Sequence, residues 1–190
     1  MNYVAIGCAI TSLTYAYLCF LLHKGKTAQN FATWLLWAAL DVVLAASVIY
    51  QDGNWPFIVT YVVGCIAVAA TVFFKSSVVR WTLFETLITI LVVICMLVWS
   101  ISGARNATIA GTVAVVVAGI LQLIDAWKKP EENSVLVYTG FLIGNIFSTA
   151  AGKDWSVEER FYPATCTFFC VVFIFIISRK FLPSRNMKFS

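Results

Sequence analysis

Trp34-Leu-Leu-Trp37-Ala-Ala-Leu-Asp41 places a carboxylate in the middle of an apolar run that extends from about Phe31 to Tyr50. An isolated acid at the centre of a membrane helix costs roughly 2.5–3.5 kcal/mol on insertion scales. On a helix, positions 34, 37 and 41 share one face. Two tryptophans and an aspartate therefore point the same way, into a protein interior rather than lipid. The same form returns 104 residues later as Tyr138, Phe141 and Asn145. Aromatic, aromatic, polar recurs at one spacing.

Composition explains why such a face matters. The 190 residues are 61% hydrophobic and only 12% charged, against about 25% charged in soluble domains. A soluble chain of this size cannot hide that much apolar surface, so a polytopic membrane protein is expected. The first residues lack a basic segment, and the first apolar run is long enough to be a retained span. The net charge of +4 is carried by loops and the tail. It serves membrane orientation, and no nucleic-acid partner is expected.

Seven apolar runs are expected to span the bilayer, at about 3–22, 31–50, 56–74, 81–101, 107–127, 134–151 and 161–182. Lys24, Lys26, Lys75, Arg80, Lys128, Lys129, Arg179, Lys180, Arg185 and Lys188 fall on one side; Arg105, Lys153 and Arg160 fall on the other. That bias predicts an outside N-terminus and a cytoplasmic C-terminus. Short loops suit a bacterial inner membrane.

The repeat extends beyond the opening stretch. His23-Lys24 through Asp41 corresponds to Trp127-Lys128 through Asn145 at the constant offset of 104. Trp55-Pro56 with Thr60 answers Tyr162-Pro163 with Thr167, and both third helices close on a basic residue, Lys75 and Lys180. The expected fold is an all-α membrane protein with seven transmembrane helices. Two parallel three-helix repeats are joined by a linker helix, a 3+1+3 layout. The divisions fall at 1–75 for the first bundle, 76–105 for the linker, 106–182 for the second bundle and 183–190 for a cytoplasmic tail.

Gly119-Ile-Leu-Gln122-Leu-Ile-Asp125-Ala-Trp-Lys128-Lys-Pro, followed by Asn133-Ser134 and Gly144-Asn145, resembles a PQ-loop motif. With the 3+1+3 layout, the whole chain resembles the SWEET and PQ-loop transporter superfamily, including its cystinosin-like members. That resemblance implies carriage of sugars or amino acids by alternating access. Leu121 stands where the family has proline, and Tyr17-Leu18 occupies the corresponding place in the first repeat. The third helices offer Thr60, Tyr61, Thr165 and Thr167 where sugar carriers place asparagine.

The expected function is transport of a small polar metabolite, amino acid-like or sugar, with Asp41 exchanging a proton as access alternates. A structural hydrogen bond from Asp41 to Asn145 or a tyrosine is the alternative role for that acid. Asp41, Asn145, Trp37, Phe141, Trp34, Tyr138, Thr60 and Thr167 are the candidate solute-binding residues, and Gln122 and Tyr17 the candidate gates. Trp34, near its helix start, also suits an interfacial aromatic belt. Glu85 is expected to pair or snorkel near the surface, and Asp125 to pair at a helix end. Tyr15, Ser148 and Thr149 are further hydroxyls of undecided facing. Alternatives to the carrier are a non-transporting membrane receptor or scaffold on the same fold, and a nicotinamide riboside-type transporter, whose N-terminus lies inside.

Catalysis has no support in the sequence. There is no Gly-rich phosphate loop, no GxSxG and no HExxH, so the chain is expected not to be an enzyme. Cys8, Cys19, Cys65, Cys95, Cys166 and Cys170 all lie in apolar runs and suit helix packing. No metal or cofactor is expected. The partners are a small-molecule solute and the lipid bilayer, with homo-oligomerisation left open.

Overall fold

The computed structural model describes residues 2–75, 83–128 and 132–179. Arg80, Lys129 and Lys180, and the side chains of Glu85 and Asp125, lie outside the described residues. Seven α-helices follow in chain order: α1 Tyr3–His23, α2 Phe31–Tyr50, α3 Trp55–Lys75, α4 Leu83–Ser102, α5 Ala104–Lys128, α6 Glu132–Ala151 and α7 Tyr162–Ser178. A π-helical turn, Val157–Phe161, leads into α7. Six spans, on every helix but α4, are long and apolar enough to cross a membrane. The chain is a multi-pass integral membrane protein. Residues 89–102 of α4 form a shorter apolar stretch.

The helix limits follow from local chemistry. Asn2 and Asn30 cap α1 and α2, each side-chain oxygen accepting from a backbone N–H of the first turn. Pro56 and Pro163 occupy first turns, where a missing N–H does no harm. Gly103, with φ +82°, is the sole residue between α4 and α5. That left-handed geometry suits glycine. Helix α5 thus begins at Ala104.

Helix α3 packs against both α1 and α2, and α7 against both α5 and α6. Between these groups, α1 lies on α6 and α2 lies on α5, while α4 covers α2 and α5. At one end of the molecule Lys75 Nζ donates to the carbonyls of Leu22 and His23, the latter at 2.6 Å. At the same end Arg179 donates to the Trp127 carbonyl and lies 3.2 Å from the Trp127 ring centroid. Both cations satisfy carbonyls left open at a helix C-terminus. The contacts Lys75–His23 and Arg179–Trp127 differ by the offset of 104 at both residues. Arg179 thus stands at the position 104 residues after Lys75.

The α1–α6 contact is built from small residues. A Cβ on Gly144 would lie 2.2 Å from Thr11 Oγ1, and one on Gly140 2.3 Å from Thr14 Oγ1. The Gly140-x-x-x-Gly144 spacing puts both on one face, letting the backbones approach closely. Gly7 completes the seam against Gly144 and Ser148.

Candidate functional site

Asp41 is 2% exposed and Asn145 is fully buried, so both polar residues face protein. They do not bond to each other; each meets a tyrosine from the opposite helix group. Tyr162 of α7 donates to Asp41 Oδ1 at 2.9 Å, and Cys65 of α3 donates to Oδ2 at 3.6 Å. Asn145 Nδ2 donates to Tyr61 of α3 at 2.6 Å and to the Phe141 carbonyl at 2.8 Å. Asn145 Oδ1 has no partner among the described residues. The Tyr61 and Tyr162 rings meet edge-on at 5.6 Å, joining the two pairs. Neither of Asp41's partners carries a positive charge.

Around this centre the aromatic residues pack into one cluster. Tyr15 of α1 touches Trp34, Tyr61 and Phe141, with centroids 6.3, 5.7 and 4.8 Å away. Its hydroxyl pairs with Cys65 Sγ at 3.4 Å. Trp34 packs on Trp37 at 5.1 Å and Tyr138 on Phe141 at 6.2 Å, both edge-on. These two pairs are the residues the 104-residue spacing equates.

Trp34 is 3% exposed, and its Nε1 donates to Gln29 Oε1 at 3.0 Å. That burial removes it from an interfacial belt. Gln122 of α5 donates to the same Gln29 oxygen at 3.2 Å. Gln29 therefore ties the α1–α2 loop to both α2 and α5. A small crevice opens here, at the end of the molecule where Lys75 and Arg179 lie; Gln29, Trp34, Gln122, Ser134, Tyr138 and Phe141 are among its lining.

The opposite end is closed by polar contacts. Ser47 and Thr108 hydroxyls meet at 2.9 Å, and Gln51 donates to Thr108 at 3.0 Å. Asn54 donates to the Ser148 hydroxyl at 3.1 Å, and Lys153 reaches the Asp52 carbonyl at 3.2 Å. Lys153 also pairs with the buried Glu159 at 3.5 Å. Each contact except the last joins the first three helices or their loops to the last three.

No family model, curated protein or solved structure matches this chain. The geometry alone must carry the functional reading.

Of the residues singled out in the sequence, Asp41, Asn145, Trp34, Trp37, Tyr138 and Phe141 come together at or beside the centre. Tyr17 is half-buried against the same cluster. Thr60 and Thr167 spend their hydroxyl protons on carbonyls of their own helices, Pro56 at 3.0 Å and Pro163 at 2.8 Å. Tyr61 occupies the centre instead of its neighbour Thr60. Tyr162, Cys65 and Gln29 were not singled out as site residues. Tyr162 was visible only as the aromatic that opens a helix, and Gln29 lies in a loop without a helical pattern.

Proposed function

We propose that the protein carries a small polar solute across a membrane by alternating access, with Asp41 exchanging a proton. Two parallel three-helix halves, linked by α4, would rock about the shared centre. The pairing of helices supports this. Exchanging α1 with α5, α2 with α6 and α3 with α7 turns the α1–α6 contact into the α5–α2 contact. It also turns the Lys75 contact into the Arg179 contact. An inverted repeat would not keep both basic caps at one end.

The observation that carries the proposal is the buried Asp41, shared between the halves and partnered, among the described residues, by a phenol and a thiol alone. A structural hydrogen bond needs no acid; an amide would serve. A group that changes charge state suits a coupling role. The excess of Lys and Arg at the crevice end supports a cytoplasmic crevice and an outside N-terminus. The described arrangement is then closed outward, with its crevice toward the cytoplasm.

One observation favours a receptor on the same architecture. The centre is filled by aromatic rings in mutual contact, and Pro56 and Pro163 sit in first turns rather than at mid-helix hinges. A thermal-shift screen of purified protein against amino acids, sugars, nucleosides and organic cations names the bound class. Counterflow in proteoliposomes then separates the readings. Movement of the stabilising solute supports a carrier; binding without movement establishes the receptor.

A further inference from the structure

Among the described residues, the crevice and the buried centre hold neutral polar groups, aromatic rings and the Asp41 carboxyl, with no cation. Trp34, Tyr138 and Phe141 supply the crevice's aromatic walls, and none of its lining side chains carries a formal charge. Gln122 Oε1, on its rim, is buried and has no partner among the described residues. Phe141 joins the crevice to the centre. Its ring touches Tyr15 and Tyr61, and its carbonyl accepts from Asn145. Beyond it wait the second unpartnered acceptor, Asn145 Oδ1, and the Asp41 carboxylate. Among the described residues the unpartnered buried donors nearby are neutral, the Trp37 indole N–H and, against Gly144, the Thr11 hydroxyl.

Four physical consequences follow. A cation beside aromatic rings gains from their quadrupoles, more so when water is excluded. Acceptor oxygens along the route favour a solute that brings donors or positive charge. A solute carboxylate would meet only neutral donors, the Trp37 indole N–H and the crevice's amides and hydroxyls, and would approach Asp41, a like charge, in a medium that screens poorly. A neutral sugar would leave the Asp41 charge unmatched.

We infer that the carried solute is a small organic cation without a carboxylate of its own, an amine or quaternary ammonium compound, admitted through the Trp34–Tyr138–Phe141 crevice toward Asp41. This rests on the carrier reading and narrows its substrate class. The cation and the proton compete for one carboxylate, which links their movements in opposite directions.

The test uses the full chain, purified and held in lipid nanodiscs, with three probes of matched size. Choline carries the charge. 3,3-Dimethylbutan-1-ol replaces its nitrogen with carbon and is neutral. Glycine betaine keeps the quaternary nitrogen and adds a carboxylate. Choline should raise Tm by about 2–4 °C in a saturable way, and the other two should leave it unchanged. Asp41→Asn should erase the choline shift, and Phe141→Leu, which removes the ring at the crevice floor, should reduce it by at least half. Stabilisation by the neutral isostere or by betaine equal to that by choline overturns the assignment, as does an unchanged choline shift in both variants. Counterflow of a sugar or zwitterion, with choline inert, overturns the cation and leaves the carrier standing. Failure of every solute to move overturns the carrier itself.

Discussion

Helices α1 and α6 meet through Gly7, Thr11, Thr14, Gly140 and Gly144, whereas α2 and α5 meet through Leu36, Leu40, Leu44, Gly111, Ala114 and Ala118. In the proposed repeat these are one seam built twice. Gly7 against Ser148 corresponds to Gly111 against Leu44, each residue displaced by 104. The first version is tight and backbone-led. The second pushes leucine side chains into the space left by small residues. The difference matters mechanically. A close backbone seam has little slack, whereas aliphatic side chains can change rotamer and slide. Under the proposed rocking, motion between the halves should be easier along α2–α5 than along α1–α6.

Substitutions at the two seams should separate them. Gly144→Leu should be the most damaging, because even its Cβ would overlap Thr11 Oγ1. The expected loss is about 3 kcal/mol or more, read as loss of monodisperse protein or a large fall in Tm. Leu40→Ala, at a fully buried position of the other seam, should cost about 2 kcal/mol. Gly111→Ala should cost about 1 kcal/mol. Its new methyl meets the Leu44 side chain at 2.8 Å, which can turn aside. A cost for Gly111→Ala matching that of Gly144→Leu would erase the distinction. The smallest effect is expected at Thr11, whose buried hydroxyl has no partner among the described residues. Thr11→Val keeps the shape and removes an unmet polar group, so Tm should hold or rise slightly.

Much of this was legible in the sequence. The apolar runs gave helix limits within a few residues, because hydrocarbon thickness fixes the length of a span. The aromatic-aromatic-polar faces pointed inward, as a buried acid requires. The centre's tyrosines were harder to read. Adjacent helix positions differ by about 100° in direction, so choosing Thr60 over Tyr61 depends on a rotation that apolar helices hide. Helix α3 is apolar nearly all round, so its pattern does not say which face meets α1. Gln29 was unreadable for another reason. Its role depends on Trp34 and Gln122 converging on one oxygen, and no local pattern encodes that. The Gly140-x-x-x-Gly144 spacing was present in the sequence, but its partner helix was not.

The most direct test of the account is proton-driven uptake into proteoliposomes by wild type and Asp41→Asn, for the solute the counterflow screen identifies. The asparagine can still accept from Tyr162, so the fold should survive. Uptake driven by a pH gradient should fall to the level of protein-free vesicles; exchange should fall with it for a cation that pairs with Asp41 and persist for any other solute. Gradient-driven uptake that is undiminished in Asp41→Asn, with unchanged pH dependence, would contradict a coupling role for the buried acid.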